Sequence, residues 1–150
     1  LASRAGRPCH GISLMAATLH LELTSPGAPP IELEAVQVVI PGAAGIFTVL
    51  PGHTALLTTL TQGVIVATTA TGPKAFIAVH GGFAEVNHDR ILVLADVMEK
   101  GEKVELERAK AARDRAQERL QQPADFNVAR AEAALARALA RLEAHAHEEY

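Results

Sequence analysis

The sequence changes character at Gly101, and this boundary constrains the fold more than any other feature. Over residues 15–101, short β-like runs are separated by Gly and Pro at the spacing typical of an antiparallel sandwich or barrel. After Gly101 nearly every residue is a good helix former, and only Pro123 interrupts the pattern. The sequence therefore predicts an α+β chain, with a β-sandwich or barrel domain at residues 15–101 and a helical domain at residues 102–150.

Residues 1–14 fit neither part of the chain. This segment carries no acidic residue, and Arg4 and Arg7 hint at a transit peptide, although such a peptide is removed from a mature chain. We expect a leader or disordered extension here and leave its Cys9 out of the fold. Because Cys9 is the only cysteine, no disulfide can form within the chain.

The overall composition argues against two kinds of interaction. The chain has 14 Lys and Arg residues against 17 Asp and Glu residues, whereas a nucleic-acid binder usually shows a basic surplus. The sequence also lacks any apolar run of about 18 residues, the length that a membrane-spanning helix needs. We therefore expect no nucleic-acid partner and no transmembrane helix.

Alternation of apolar and polar residues predicts eight short strands in the first domain. They lie at residues 19–23, 31–40, 45–50, 55–60, 63–69, 74–79, 83–87 and 90–94. Gly81 and Gly82 are interpreted as a turn between two of these strands. In the second strand, Glu32 and Glu34 are expected to point outward and Val36 inward. The strands are not separated by a helical pattern, so a βαβ architecture is not expected.

The C-terminal part contains two periodic apolar stripes, which predict two helices. The stripes are formed by Leu106, Ala109, Ala116 and Leu120 in the first stretch, and by Val128, Ala131, Leu135, Ala138 and Leu142 in the second. A short loop at residues 121–124 joins them and implies an antiparallel hairpin, with Asp125 as the expected N-cap of the second helix. Because the stripes are rich in Ala, the hairpin should bury little surface and be able to open.

Six arginines form two trios with the same spacing. They are Arg108, Arg115 and Arg119 in the first helix and Arg130, Arg137 and Arg141 in the second. Steps of seven and four residues keep each trio on one face of its helix. One interpretation is a solvated face neutralised by Glu and Asp. The other is a clamp for a polyanion such as a nucleotide phosphate, since Arg provides bidentate donors.

The sequence shows no residue pattern typical of an active site. The histidines have no ligand-like spacing, so surface or turn positions are expected for His20, His53, His80 and His88. The serines lie outside any nucleophile elbow, and no phosphate-binding loop precedes a basic helix. A small β-sandwich enzyme with a helical tail is therefore kept only as an alternative hypothesis.

Four ordered segments of the chain resemble a known family. Residues 45–57 (GIFTVLPGHTALL), 80–86 (HGGFAEV), 91–96 (ILVLAD) and 137–142 (RALARL) resemble, in this order, segments of the epsilon subunit of bacterial F-type ATP synthase. The resemblance covers residues 15–142. It implies a β-sandwich followed by a helical hairpin, in a subunit that is not itself an enzyme.

The resemblance also implies partners and a location. A family member lies on the central stalk beside the gamma subunit, touches the rotor ring of c subunits, and couples its rotation to the catalytic ring of alpha and beta subunits. Such a subunit is peripheral, at the cytoplasmic face of the bacterial inner membrane, in a proton-translocating complex. Its movable C-terminal helices inhibit ATP hydrolysis. Pro51, Gly52 and His53 match the rotor-ring and gamma contact; alternatively, His53 is a turn histidine that only bonds backbone groups.

In some family members ATP binds the folded hairpin through a motif that residues 104–109 resemble. The resemblance implies a candidate ATP site at Glu105, Arg108, Arg115, Arg137 and Arg141, with ATP as a regulatory ligand and no cofactor required. Glu105 stands where the nucleotide-binding members have Asp. A nucleotide-sensing module is therefore the alternative function to a coupling and inhibitory subunit.

Overall fold

A computed structural model describes residues 17–121 and 127–148. Within these ranges the elements are β1 (Leu19–Ser25), β2 (Ala28–Ala35), β3 (Gln37–Gly42), β4 (Gly45–Val49), β5 (His53–Thr59), β6 (Gly63–Thr68), β7 (Lys74–His88), β8 (Arg90–Lys100), a 3₁₀ turn (Gly101–Lys103), α1 (Leu106–Gln121) and α2 (Val128–Glu148). The predicted α+β fold, a β-sandwich followed by a helical hairpin, is confirmed. The expected leader at residues 1–14 lies outside the described residues.

The described strands are connected into one sheet. Neighbours follow the order β2-β1-β8-β7-β6-β3-β4, and β5 pairs with β7 beside this path. The pairing is antiparallel except between β1 and β8, which run parallel. β1 and β8 are the first and the last strands in the sequence. The long chain between them supplies the crossover connection that a parallel pair requires. The first half of β7 pairs with β6, and its second half pairs with β5.

The stretch 31–40, predicted as one strand, is two strands. β2 ends at Ala35 and β3 begins at Gln37. The buried aliphatic positions have odd numbers in β2 and even numbers in β3. Val36, which was expected to point inward, lies at the break and is only half-buried. The prediction was wrong because side chains alternate strictly along a regular strand, so a change of phase requires an interruption of the regular geometry, which here is the break at Val36.

β7 is one long strand rather than the two that were predicted. It runs through Gly81 and Gly82, whose φ angles are +70° and +106°. Pairing with β8 continues through this point, since Gly82 lies opposite Ala95. The partner strand accordingly extends to Lys100 and does not end at residue 94. The two glycines bend a continuous strand, because glycine alone adopts positive φ without steric cost, and the predicted turn was wrong.

Alternating aliphatic side chains form the core of the sandwich. The largest fully buried ones are Leu19, Leu21, Leu23, Val38, Ile40, Val49, Ile65, Ile77, Val79, Val86, Ile91 and Val93. Because alternate residues of a strand point to the same face, these side chains meet between the layers. Their burial is the main stabilising term, at about 25 cal/mol per Å² of apolar surface.

The two helices pack on each other, and α2 also packs on the sandwich. The seam between them includes Ala109 and Ala116 of α1 and Ala131 and Ala138 of α2, all buried. The predicted Ala-rich stripes are confirmed at these positions. Val128, by contrast, was placed in the stripe but is exposed in the first turn of α2.

Asn127 is the N-cap of α2. Its side-chain Oδ1 accepts a hydrogen bond from the N–H of Arg130 at 3.1 Å, and its carbonyl oxygen accepts one from the N–H of Ala131 at 3.2 Å. The side-chain bond satisfies one of the N–H groups that the first turn leaves free. This role was expected of Asp125, which lies outside the described residues.

A second face of α2 rests on β6 and β7. Ala140 and Ala144 are buried on this face. Arg137, Ala140, Ala144 and His147 follow one another at steps of three, four and three residues, so they share one side of the helix. The imidazole of His147 stacks on Phe76 of β7, which places this face on the sheet. The sequence pattern did not predict this contact, because alternating Arg and Ala also suit an exposed face.

Replacing Gly82 by Ala should destabilise the sandwich more than the same change at Gly72. The two glycines have nearly the same φ, +106° and +104°, so left-handed strain costs about 1–2 kcal/mol at either position. A Cβ on Gly82 would also collide with the carbonyl oxygen of Leu94, whereas one on Gly72 would meet no atom within 4 Å. Urea unfolding should show an additional loss of about 2 kcal/mol for Gly82→Ala. Equal losses would contradict the close approach of β7 and β8.

Candidate functional site

A pocket lies where the start of α1, the later turns of α2 and the end of β8 meet. Its volume is about 520 Å³, and it is lined by Glu99, Lys103, Glu105, Arg108, Ala109, Ala112, Arg115 and Arg141. Four of the five residues of the predicted ATP site therefore line one cavity. The fifth, Arg137, lines an adjoining groove between the helices.

Helix geometry explains how these side chains come together. The carbonyl oxygen of Glu105 accepts the N–H of Ala109 at 3.0 Å, so α1 begins directly after this residue. Arg108 and Arg115 are seven residues apart and share one face of α1. The return of α2 beside α1 then brings Arg141 to the same cavity.

Arg141 also connects α2 to the sandwich. Its Nε donates a hydrogen bond to Oε2 of Glu99 at 2.7 Å, and both side chains are partly buried. An ion pair with this degree of exposure contributes roughly 1 kcal/mol. Glu99 was not predicted as a site residue, because the strand that carries it was expected to end five residues earlier, at Leu94.

The pocket holds a surplus of positive charge. Its ionisable lining consists of Lys103, Arg108, Arg115 and Arg141 against Glu99 and Glu105. Among the described residues, Arg108 and Arg115 form no ion pair, whereas Lys110 pairs with Glu107 and Arg113 pairs with Asp114 on the same helix. The interpretation of a solvated face neutralised by Glu and Asp therefore holds for Lys110 and Arg113, but not for Arg108 and Arg115. The pocket has the charge and the bidentate donors that suit an anionic ligand.

His80 is buried beneath α2, in contrast to the surface or turn position expected from the sequence. The residue is 5% exposed, and neither ring nitrogen has a hydrogen-bond partner among the described residues. Burial, and then the guanidinium groups of Arg141 and Arg137, lower the pKa of His80 to about 4. The imidazole is therefore neutral at pH 7, and a proton on it would place a further positive charge under the helix.

The last turns of α2 make two further contacts with the rest of the chain. Nδ1 of His145 donates to the carbonyl oxygen of Gly101 at 3.3 Å. The rings of His147 and Phe76 stack with centroids 5.0 Å apart and planes inclined by 14°. Together with the bond between Arg141 and Glu99, these contacts hold the hairpin folded against the sandwich.

The loop formed by Pro51, Gly52 and His53 joins β4 to β5, beside the far end of β7 from α2. Gly52 has a φ of +77°, and its N–H donates to Oδ1 of Asp89 at 2.7 Å. Nδ1 of His53 donates to the carbonyl oxygen of Thr54 at 2.7 Å. This bond is the kind of backbone contact expected of a turn histidine.

Several large apolar side chains of the sandwich are exposed. Leu50, directly before the loop, is 53% exposed, and Ile46, near the start of β4, is 77% exposed. Leu57, Phe83 and Leu94 are 71%, 53% and 50% exposed, and the strand register places Phe83 directly opposite Leu94. Contiguous exposed apolar surface of this kind marks a site of contact with another protein.

Comparisons with known proteins identify the family. The model of the ATP synthase delta/epsilon chain beta-sandwich domain matches residues 18–101, and that of the delta/epsilon long alpha-helix domain matches residues 102–145. The ATP synthase epsilon chain of Moorella thermoacetica is 43% identical over 129 residues, which are 85% of this chain and 96% of the relative. That of Desulfitobacterium hafniense strain Y51 is 45% identical over 130 residues, 87% of this chain and 98% of the relative.

Solved structures show the same fold. A chain of the mitochondrial ATP synthase of Euglena gracilis, in a structure of its OSCP/F1/c-ring, matches with a TM-score of 0.73 and 21% identity, over 99% of this chain and 91% of that one. A chain of the central stalk and c-ring of the Tetrahymena thermophila mitochondrial ATP synthase matches with a TM-score of 0.56 and 11% identity, over 85% of this chain and 96% of that one.

A β-sandwich and a helical hairpin in this order define a class of non-catalytic subunits found in the central stalk of F-type ATP synthases. The chain belongs to the ATP synthase delta/epsilon chain family. The predicted family and the prediction that the chain is not itself an enzyme are confirmed, and the alternative of a β-sandwich enzyme is set aside. Neither helix in the described part of the chain is long and apolar enough to cross a membrane.

Docking of α2 on the sandwich should weaken as the pH falls from 6.5 towards 4. The pKa of His80 is about 4 when α2 covers it and returns to its ordinary 6.5 when α2 leaves, so the proton binds the open form preferentially. The docked form is fully stable above pH 6.5 and loses at most about 3 kcal/mol as the pH approaches 4. Amide exchange of α2, expressed as protection factors, measures the effect.

A His80→Leu variant is the control for this prediction. It removes the titrating group while keeping an apolar side chain beneath α2, so protection of α2 should depend much less on pH in this range. If the variant loses protection as steeply as the wild-type chain, protonation of His80 is not the cause of the pH dependence.

Proposed function

We propose that this chain couples rotation of the c-subunit rotor ring to the catalytic ring of alpha and beta subunits in a proton-translocating complex, and that its hairpin inhibits ATP hydrolysis. The observation that carries the proposal is a β-sandwich with its own core, on which a helical hairpin rests through small side chains. The domain at residues 15–101 is then the fixed part and the domain at residues 102–150 the movable part. In its extended form the hairpin reaches along the gamma subunit and blocks rotation in the hydrolysis direction.

The chemistry of the contact between α2 and the sandwich supports a movable hairpin. Ala140 and Ala144 bring only methyl groups to this contact, and a buried methylene-sized group contributes about 0.8 kcal/mol. The ion pair between Arg141 and Glu99 adds roughly 1 kcal/mol. The folded and extended forms therefore differ by a free energy that a partner or ligand with a modest preference can reverse.

The exposed apolar end of the sandwich supports contacts with the gamma subunit and the rotor ring. In the proposal, Pro51, Gly52 and His53 contact the ring, together with the exposed Leu50 that precedes them. The structural neighbours come from assemblies that contain a c-ring, which is consistent with this assignment. The chain then lies peripherally, at the cytoplasmic face of the bacterial inner membrane.

The neighbouring face of Leu57, Phe83 and Leu94 is proposed to contact the gamma subunit. These side chains project from adjacent strands, so they form one patch and are not scattered apolar residues. A partner that covers them removes apolar surface from water without changing the sandwich core. Contacts at this patch and at the loop leave α2 and its pocket uncovered, which the proposed movement of the hairpin requires.

Removing residues 103–150 should raise the ATPase rate of the reconstituted complex and leave assembly intact. The sandwich core contains no residue of α1 or α2, so it does not depend on the hairpin. We expect a rise of about tenfold, which corresponds to a bias of about 1.4 kcal/mol towards the inhibited form. Steady-state hydrolysis is measured after the truncated chain has been shown to copurify with the complex. An unchanged rate in that complex would contradict an inhibitory hairpin.

The cationic pocket supports a second proposal, in which ATP binds the folded hairpin as a regulatory ligand. A volume of about 520 Å³ lies within the range of small-ligand sites. Arg108 and Arg115 provide donors for phosphates, and Glu99 and Glu105 provide acceptors for amino or hydroxyl groups. Because β8, α1 and α2 all contribute walls, a bound nucleotide stabilises the folded hairpin and opposes inhibition.

Calorimetric titration of the full chain with MgATP should detect binding that Arg115→Ala weakens by at least about tenfold. A hydrogen bond to a charged group contributes about 1.5–3 kcal/mol, which is the size of loss expected. Arg113→Ala is the matched control, because Arg113 lies on the same helix but pairs with Asp114 and is not among the residues that line the pocket. Equal affinities of the two variants, or no heat from the wild-type chain at millimolar MgATP, would argue against a nucleotide site here.

A further inference from the structure

The outer face of the sandwich carries a row of directly paired residues that crosses the strands β5, β7, β8, β1 and β2. In this strand order the residues of the row are Leu57, Glu85, Leu92, Glu22 and Glu32. Paired residues of neighbouring strands point to the same side of a sheet. The alternate residues of these strands belong to the core, so the row faces away from it.

Glu85 stands within the apolar patch of Leu57, Phe83 and Leu94. Leu57 and Leu92 lie directly opposite it on the two neighbouring strands. Phe83 lies two residues before it in β7 and therefore projects from the same face. The side chains of Leu57, Phe83 and Glu85 are all exposed. One carboxylate is thus surrounded by apolar side chains on a surface that a partner can reach.

Glu85 has no cationic partner within the part of the chain that the structure describes. It forms neither an ion pair nor a side-chain hydrogen bond there. Glu22, in the same row, accepts a hydrogen bond from Arg90 at 2.9 Å. Nδ1 of His20 donates to Oε1 of Glu34 on the same face at 2.8 Å. Arg90 and His20 are therefore engaged by other carboxylates, and Glu85 is left without a counter-charge.

The unpaired carboxylate restricts what can cover the patch. A partner that packs on Leu57 and Phe83 also removes Glu85 from water. Burial of a carboxylate is strongly unfavourable unless a cation and hydrogen bonds replace the lost water. The covering surface must therefore bring a positive group to Glu85. A guanidinium suits this position best, because it donates two parallel hydrogen bonds to one carboxylate.

A second copy of this chain does not meet this requirement. In a symmetric dimer both subunits present the same patch to each other. Such an interface contains two Glu85 carboxylates, and the cations of the face already serve Glu22 and Glu34. Glu32 lies directly opposite Glu22 and adds further negative charge beside the patch. The occupant is therefore a different protein, whose contact surface is apolar with a cation at its centre.

We propose that the protein partner docked on this patch places an Arg or Lys side chain against Glu85, and that Glu85 selects this partner. The inference rests on the proposed contact between the patch and the gamma subunit, and it adds the charge that the gamma subunit presents there. Leu57, Phe83 and Leu94 then surround the ion pair and exclude water from it. Exclusion of water strengthens the pair and slows dissociation of the complex.

The test measures binding of the full chain to a complex of alpha, beta and gamma subunits on a biosensor. The decisive variant is Glu85→Leu, which enlarges the apolar patch and removes the charge. A purely apolar partner surface would bind this variant more tightly, whereas a surface with a cation binds it more weakly. We expect Glu85→Leu and Glu85→Gln to dissociate at least about tenfold faster, with association rates within about twofold of wild type, because a buried pair acts on dissociation.

Glu32→Gln is the matched control. Glu32 is an exposed carboxylate in the same row, it forms no ion pair among the described residues, and it lies outside the apolar patch. Its variant should dissociate at the wild-type rate. Equal acceleration in Glu32→Gln and Glu85→Gln would indicate a general effect of negative charge and would overturn the specific role of Glu85.

Leu57→Ala tests the patch separately from the charge. If Leu57→Ala weakens binding while Glu85→Leu leaves it unchanged or strengthens it, the cation is refuted and the contact at the patch stands. If neither variant changes binding, the proposed contact of the gamma subunit at this patch fails, and the inference fails with it. Urea unfolding of each free variant should match wild type, since the substituted side chains are exposed; Glu85→Gln, which keeps the shape of the side chain, carries the test if Glu85→Leu does not fold.

Discussion

The contact between α2 and the sandwich determines what the rest of the molecule can do. It buries Ala140 and Ala144, covers His80 and brings Arg141 to Glu99. The pocket takes walls from β8, α1 and α2, so it is complete only while this contact exists. The neutral state of His80 and the folded hairpin are therefore linked in one equilibrium, and the proposed binding of a ligand in the pocket would be linked to both. A ligand at a hundred times its dissociation constant would shift that equilibrium by about 2.7 kcal/mol.

The succession of short strands followed by two helices could be predicted from the sequence, because both depend on local patterns of residues. The number of strands agrees only because two errors cancel: one predicted strand is two, and two predicted strands are one. The errors arose where one local pattern had two structural meanings. Gly81 and Gly82 suit a tight turn as well as a bend within β7, and only the partner strand decides between them. Residues 31–40 contained a readable signal, since outward Glu34 and inward Val36 could not both hold in one uninterrupted strand.

The candidate site was predictable to the extent that it lies on single helices. The spacing of Arg108 and Arg115 places both on one face of α1, and the pocket confirms that they lie together. Glu99 and His80 join the site only through the docking of α2 on the sheet, which no local pattern specifies. The role of Pro51, Gly52 and His53 came from the family resemblance and stays a prediction, since a single chain shows no partner.

β7 runs from the surface beneath α2 to the loop at the opposite end of the sandwich. Phe76 on its first half supports the helix, and His88 at its end pairs with His53. Both ends therefore belong to one covalent element that is hydrogen-bonded along its length to neighbouring strands. In the proposed function, a torque applied at the loop would therefore be transmitted along this hydrogen-bonded ladder. The sandwich would then act as a rigid body, and the proposed movement of the hairpin would change the orientation of α1 and α2 without deforming the strands that support them.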